Sequence, residues 1–323
     1  MLLKIVEANE KQLAKWDDFI EESVNGTIFH RRDFLSYHGS RFIEKEKWLI
    51  IVNGDSPIAQ IVLTIDDDGN EIVAKSPYGA SYGGITFKTY PTYHHGKEIV
   101  HLLLEYLKDN NVNRFIITPP IACCSDKSLD TFYFNLLEAG FKSINRDISS
   151  VVIFKENKPI RGEISPNARN MFNKAVKAGV TIVKKGDLND FWKVMESTFA
   201  KHGTSPTHTK KQFEMLTRLL PERIYVDIAY KDNLPIAGIG YFKINKNVNS
   251  SYYFCQSTEY QNLQGLSMLV LTALEDSQMD GYKYFDFGTS TVTMIAKENI
   301  FNFKENYTKV GFFRETFEWK MSK

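Results

Sequence analysis

Apolar and polar residues alternate at the period of a β-strand in several short segments, and two of these segments match each other. Residues 50–61 (IIVNGDSPIAQI) and 228–239 (IAYKDNLPIAGI) share the tripeptide Pro-Ile-Ala in the same setting. In each, two alternating runs flank residues that favour tight turns, Asn53-Gly54 in the first and Asp232-Asn233 in the second. The pattern predicts one β-hairpin in each half of the chain.

The segments after the two hairpins also repeat, at an offset near half the chain length. In each half an apolar strand (114–120 and 283–289) precedes a helical segment, a Gly-Phe pair and a closing strand (149–155 and 314–321). A repeated order of this kind indicates duplication of one structural unit.

The second half gives the clearest order of elements, β-α-α-β-β-β-α-β-α-β. Its predicted strands lie at 180–186, 223–231, 235–245, 250–256 and 283–287 and from residue 312, and its predicted helices at 187–203, 208–222, 265–279 and 293–308. We predict an α/β (α+β) fold of two tandem domains, residues 1–157 and 158–323, each a mixed, mostly antiparallel sheet flanked by helices.

The composition limits the classes of partner and compartment. The 323 residues carry 40 basic and 39 acidic side chains, a net charge of +1, which excludes a global basic field for nucleic acid or anionic membrane. The three cysteines, Cys123, Cys124 and Cys255, are typical neither of a disulfide framework nor of a zinc cluster and predict a reducing compartment. Acids come too early for a signal peptide, and no apolar run reaches the ~18–20 residues of a membrane span. We expect a cytoplasmic protein.

One acid stands inside an apolar strand. In KYFDFGTST (283–291), Asp286 lies between Phe285 and Phe287, and a buried carboxylate must meet hydrogen-bond donors or face an opening. Two interpretations stay open, an active-site acid and a structural acid that caps the next segment. We expect Asp286 to accept hydrogen bonds from the loop 288–291.

The segment 164–180 (ISPNARNMFNKAVKAGV) is predicted to be a helix that begins after Ser165 and stops at Gly179. Its polar face carries Arg169 and Lys174, and no acid lies between residues 166 and 178. Such a face suits a diphosphate, although a solvated surface is the alternative. Arg169 is the strongest single candidate there.

Three other segments supply candidate binding residues. In GASYGG (79–84) the glycines allow close backbone approach, and Ser81 and Tyr82 are candidates to contact a substrate, with a plain turn as the alternative. His208 is a candidate general base or acceptor-positioning group, with an exposed loop histidine as the alternative. Strand 250–256 presents Tyr253 and Gln256 on opposite faces, and one face should line a site.

The chain resembles GNAT-type acyltransferases arranged in tandem, as in the FemABX-like branch. The local matches are GTIFHRRDFL (26–35), SPYGASYGG (76–84), HGTSPTH (202–208), FDFGTST (285–291) and FKENY (303–307). The resemblance implies a transferase that moves an acyl group onto an amine, in a cleft where the domains meet. It also implies that Lys304, in the matching Phe-Lys pair, faces the acyl-transfer centre.

The turn that binds coenzyme A in GNAT-type enzymes departs from their pattern here. NLQGLS (262–267) stands where Arg/Gln-x-x-Gly-x-Gly/Ala is typical, so Asn262 loses a donor. Gln264, Gly265 and Ser267 remain candidates to hold a pyrophosphate at a helix N-terminus. The helical arm of some aminoacyl-tRNA-dependent relatives has no counterpart.

Three hypotheses follow. The first is an N-acyltransferase that uses acetyl-CoA or another acyl-CoA, without a metal, on a small-molecule or nucleotide-linked acceptor such as an amino sugar or a peptide, in cell-envelope biosynthesis. The second is an aminoacyl-tRNA-dependent transferase acting on a peptidoglycan precursor. The third is a non-catalytic binding module with the same fold. The sequence gives no indication of the oligomeric state.

Overall fold

The structure is a computed structural model that describes residues 3–201, 203 and 205–321. Contacts divide the chain into two compact units. The first comprises the residues up to Ile148 together with those from Phe312 onward, and the second comprises Ser149–Gly311. This division differs from the predicted boundary at 157/158, because the last strand pairs with the first unit.

The first unit holds most of the N-terminal half. Its elements are β1 (Leu3–Glu7), α1 (Glu10–Leu13), α2 (Trp16–Glu22), α3 (Arg32–Leu35), β2 (Glu46–Asn53), β3 (Ser56–Asp67), β4 (Ile72–Ser76), β5 (Thr86–Phe87), α4 (Tyr93–Asp109), β6 (Arg114–Ile117), α5 (Asp130–Glu138) and β7 (Lys142–Ile153), whose last five residues belong to the second unit.

The second unit follows the predicted order of elements up to its last strand, with one short helix and two short strands added. Its elements are α6 (Ile160–Glu163), α7 (Pro166–Lys177), β8 (Thr181–Val183), α8 (Leu188–Lys201), α9 (Lys210–Leu219), β9 (Ile224–Lys231), β10 (Leu234–Lys243), β11 (Val248–Gln256), α10 (Gly265–Met279), β12 (Tyr284–Thr289), β13 (Thr291–Val292), β14 (Ile295–Ala296) and α11 (Glu298–Lys304). The final strand, β15 (Gly311–Lys320), lies in the first unit apart from Gly311.

Both units are built on one plan, which confirms the predicted duplication. Strand order is β1-β2-β3-β4-β6-β15 in the first unit and β7-β12-β11-β10-β9-β8 in the second. One neighbouring pair in each is parallel, β4 with β6 and β11 with β12, and a long helix joins it. The predicted hairpins are also confirmed, as β2–β3 and β9–β10. Asp232 and Asn233 both take left-handed backbone angles, as a tight hairpin turn requires.

Helices pack on both faces of the second sheet. Alternate residues of β10 separate the faces: Ala237 and Ile239 join the core under α10, whereas Gly238 and Gly240 meet Phe191 of α8. A Cβ atom on Gly238 would lie 2.6 Å from the Phe191 ring, so glycine is needed for this close packing. The result is a separate apolar core for each unit.

The predicted helix 293–308 is wrong in its first part. Thr293 and Met294 take left-handed backbone angles and form the turn of a short hairpin, β13–β14. Helix α11 therefore begins only at Glu298 and ends at Lys304. The sequence predicts a helix through this turn because the turn contains neither glycine nor proline.

Candidate functional site

Two neighbouring strands of the second unit pair over only part of their length and form a fork where the pairing stops. β11 and β12 pair in parallel at Val248–Tyr284, Asn249–Phe285 and Ser250–Asp286. Beyond these pairs β11 continues to Gln256 and β12 to Thr289, with no further ladder between the two strands among the described residues. Beyond the fork β11 stays paired with β10, and the β12 carbonyl oxygens of Gly288 and Thr289 accept from a side chain instead of from β11.

Lys304 is a buried cation beside this fork. Its side chain lies in the last turn of α11 and is 4% exposed, so Lys304 is not a surface lysine. Its Nζ donates to the carbonyl oxygens of Gly288 (2.7 Å) and Thr289 (2.9 Å). An ammonium has three N–H donors, and the third has no partner within the described part of the chain.

The electrostatics of Lys304 reflect burial and one nearby acid. Burial lowers the pKa of Lys304 to about 8, and the carboxylate of Asp286 acts in the opposite direction. The lysine therefore loses its proton in a pH range where an ordinary surface lysine keeps it.

Asp286 is hydrogen-bonded to the loop whose carbonyl oxygens accept from Lys304. The carboxylate is 3% exposed, and its Oδ1 accepts hydrogen bonds from the Gly288 amide (2.8 Å) and from the Ser149 hydroxyl (2.5 Å). The predicted bond to the 288–291 loop is thus confirmed at Gly288, which has a left-handed φ of 72°. The contribution of Ser149, 137 residues away in sequence, carries no local signal and was missed.

The N-terminus of α10 is a candidate anion site. Gln264 precedes the helix with a left-handed φ of 61°, and no side chain caps the helix. The first N–H groups of a helix have no intrahelical partner and carry a partial positive charge. A Cβ atom on Gly265 would lie 2.9 Å from Ile236 Cδ1, so glycine allows this helix to approach β10. Ser267 donates to Gln264 Oε1 at 3.1 Å, which orders the turn internally.

A cavity of about 200 Å³ adjoins this helix start. Its lining residues come from α8, the free end of β11, the segment before α10 and the first turn of α10: Thr198, Phe254, Cys255, Gln256, Thr258, Gln261 and Leu266. Gln256 of one predicted face and Cys255 of the other both line this cavity, so the cavity does not decide between the two faces. Burial raises the pKa of the Cys255 thiol, which disfavours the reactive thiolate.

His208 and Tyr253 lie together in an aromatic cluster. His208 is 4% exposed, so its alternative interpretation as an exposed loop residue is wrong. Its Nδ1 lies 2.8 Å from the Tyr253 hydroxyl, and its backbone N–H donates to the same oxygen. The ring packs beside Phe213 and Phe242. Neither His208 nor Tyr253 lines the 200 Å³ cavity; of the matched segment 202–208, His202 and Thr204 lie outside the described residues.

The predicted helix 164–180 forms as α7. The Ser165 hydroxyl accepts from the Ala168 amide at the N-cap, and Gly179 takes a left-handed φ of 72° just past the end. Lys174 is exposed, which fits both a binding face and a solvated surface. The Arg169 guanidinium, in contrast, donates from Nη1 to the carbonyl oxygens of Arg161 (3.2 Å) and Ile164 (2.8 Å).

Because of those bonds we expect Arg169→Ala to destabilise the protein. Each lost bond should cost on the order of 1 kcal/mol, a decrease of about 2–4 °C in Tm per kcal/mol. The exposed Lys174→Ala on the same helix is the matched control and should leave Tm unchanged. Equal melting curves for both variants would show that the carbonyl contacts contribute nothing.

Ser81 and Tyr82 belong to the first unit, in the loop after β4. Tyr82 is 4% exposed and packs edge-on against Phe29, so most of its ring is occupied by core contacts. The Ser81 carbonyl accepts from Arg314 Nη2 at 2.7 Å. A Cβ atom on Gly83 would lie 2.4 Å from the Pro77 nitrogen, so this glycine serves close backbone packing.

Comparison with known proteins identifies similar structures but no similar sequences. No family model matches the chain, and no curated protein sequence matches it. FemX is similar in structure, with TM-score 0.74 and 12% identity over 98% of this chain and 97% of FemX. L-PGS from Bacillus licheniformis gives TM-score 0.59 and 12% identity over 98% and 93% of the two chains.

A third similar structure is a tandem GNAT protein from the clavulanic acid biosynthesis pathway. It gives TM-score 0.57 and 10% identity over 99% of each chain. No helix in the described ranges has the length and apolar character to cross a membrane. The chain therefore shares its fold with FemX and with this tandem GNAT protein.

Proposed function

We propose that this protein is an N-acyltransferase that moves an acetyl or other acyl group from acyl-CoA to the amine of an amino-sugar or peptide acceptor, in cell-envelope biosynthesis. The observation that carries the proposal is Lys304, a buried ammonium with two donors fixed on backbone carbonyls and the third without a partner in the described ranges. Burying a cation destabilises the fold unless anions and hydrogen bonds offset the lost hydration, and such destabilised groups cluster at functional sites.

The proposed chemistry needs a positioned positive charge rather than a catalytic triad. An acyl-CoA donor would supply a thioester carbonyl. As the acceptor amine bonds to the carbonyl carbon and the thiolate leaves, the carbonyl oxygen gains negative charge. Lys304 would donate its third N–H to that oxygen, and the proton lost by the amine would balance the departing thiolate. Fixed donors of this kind usually contribute more to the rate than the base does.

The start of α10 supports acyl-CoA as the donor. Its first turn contains no acid and has no side-chain cap, so a pyrophosphate could accept from the free amides. The 200 Å³ cavity beside it offers an apolar wall, Phe254 and Leu266, and an amide, Gln256. Asn262, in place of the usual Arg or Gln, leaves the backbone as the main contributor to phosphate binding.

We expect Gln264→Glu to weaken binding of acetyl-CoA without destabilising the protein. A carboxylate before the helix favours the free helix dipole, can still accept from Ser267, and repels a pyrophosphate. The dissociation constant, measured by calorimetry, should increase about tenfold or more, which corresponds to ~1.4 kcal/mol.

The matched control is Asn189→Asp, which adds the same charge to an exposed position of the second unit where Lys210 already contacts the side chain. Its acetyl-CoA affinity should equal that of the wild type. An unchanged acetyl-CoA affinity in Gln264→Glu would show that the pyrophosphate does not bind at the start of α10.

A thermal-shift comparison of acetyl-CoA, charged tRNA and UDP-sugars tests the donor and acceptor classes together. A ligand at a hundred times its dissociation constant stabilises the folded state by about 2.7 kcal/mol. We expect acetyl-CoA to raise Tm. An increase in Tm with charged tRNA but not with acetyl-CoA would indicate that the donor is aminoacyl-tRNA rather than acyl-CoA.

A further inference from the structure

The first unit contains a cavity of about 470 Å³ that the proposed acyl transfer does not use. Helices α1 and α2 lie over strands β2 and β3 there, and Phe19, Ile50 and Pro57 supply apolar walls. Its volume is within the range of small-molecule sites, ~300–1,000 Å³.

The floor of this cavity holds a polar group that the fold does not require. Gln60 lies on β3 between Ala59 and Ile61, which both join the apolar core of this unit, so its side chain points to the opposite face. The residue is 3% exposed, and its Oε1 accepts no hydrogen bond from the described residues. A buried acceptor without a partner destabilises a fold, whereas an apolar residue there would not.

The rim of the cavity carries an excess of positive charge. Lys88 pairs with Glu22, so these two charges compensate each other. Lys11 and Lys15 line the same cavity and have no ion-pair partner in the described part of the chain, and exposed Asp18 is the remaining acid. Two lysines against one acid leave a net charge of +1 beside the buried amide.

We infer that this cavity binds a small organic anion, a phosphate monoester or carboxylate, that carries a neutral N–H or O–H donor at its other end. The anionic group lies between Lys11 and Lys15, and the donor satisfies Gln60 Oε1 at the floor. The site belongs to the first unit alone and needs none of the residues proposed for acyl transfer.

Two probes that differ by one hydroxyl test the role of Gln60. In an NMR titration, 4-hydroxyphenyl phosphate should bind the wild type about fivefold or more tightly than phenyl phosphate, because only the first can donate to Oε1. In Gln60→Leu the two probes should bind equally, and Tm should be unchanged or higher because an unsatisfied buried group is gone. Comparison with 4-hydroxybenzoate assigns the anionic group as phosphate or carboxylate.

The charge requirement has its own matched control. The double variant Lys11→Ala/Lys15→Ala should weaken binding of both phosphate probes about tenfold or more, whereas Lys108→Ala, an exposed lysine on α4 away from the cavity, should not. Equal wild-type affinities for the two probes, no binding of either, or an equal loss in Lys108→Ala would overturn the inference. Acetyl-CoA binding by these variants should stay at the wild-type level, which separates this test from that of the proposed function.

Discussion

Replacing Lys304 with methionine should reduce turnover about 10²–10³-fold, because the variant keeps the apolar stem and removes the only charge proposed to stabilise the carbonyl oxygen. Acetyl-CoA should still bind, since the proposed pyrophosphate contacts belong to α10. The effect should therefore appear in kcat rather than in the donor dissociation constant.

The stability of Lys304→Met separates catalysis from folding. Because the pKa of Lys304 is lowered in the folded protein to about 8, the unfolded chain binds the proton more tightly, and stability rises as pH increases from about 8 toward the ordinary lysine value. Below about pH 8 the full cost of the buried charge is present, so the variant should be at least as stable as the wild type there.

Lys297→Met is the matched control, an exposed lysine immediately before α11. It should keep wild-type turnover. Wild-type turnover in Lys304→Met would show that Lys304 has no catalytic role. A large loss of Tm at pH 7 would instead indicate that its two carbonyl contacts stabilise the fold.

Changing Asp286 to asparagine should move the pH dependence of turnover rather than abolish it. The amide oxygen can still accept from Gly288 and Ser149, but the charge that raises the pKa of Lys304 is lost. Activity that needs protonated Lys304 declines in the wild type as pH rises through about 8. In Asp286→Asn this decline should occur at lower pH, while the rate well below it stays within about tenfold of wild type.

Asp286→Ala supplies the structural comparison. It leaves the Ser149 hydroxyl and the Gly288 amide without their buried acceptor, so the free energy of unfolding should fall by about 1–3 kcal/mol for each. A loss of 10²–10⁴-fold at every pH in a well-folded Asp286→Asn would contradict the positioning role and make Asp286 a general base.

Features with local signals could be predicted from the sequence. The β9–β10 hairpin followed from Asp232-Asn233, which take the left-handed angles of its turn. The predicted bounds of α10 match the structure, because Gly265 begins it and Gly281 with a left-handed φ lies just beyond its end. These residue types favour left-handed backbone angles, so the sequence indicates the turn and the helix end directly.

Features that depend on distant partners could not be predicted. Strand β15 pairs with β6 at Phe317–Ile117 and Trp319–Phe115, some 200 residues apart, and this pairing returns the C-terminus to the first unit. The same holds for Ser149 on Asp286 and for the carbonyl oxygens on Arg169. In the site, the family resemblance suggested Lys304 and an acid within an apolar strand suggested Asp286, but only tertiary packing makes Lys304 a buried ammonium.

Transfer of an acyl group from acyl-CoA to an amine can be followed by labelling the acyl group. The most direct test incubates the wild type and Lys304→Met with radiolabelled acetyl-CoA, or with radiolabelled aminoacyl-tRNA, and a panel of UDP-amino sugars and lysine-containing peptides. We predict label on an amine acceptor from acetyl-CoA in the wild type and strongly reduced label in Lys304→Met. Label from aminoacyl-tRNA alone would contradict the proposed donor, and no label from either donor would contradict the transferase itself.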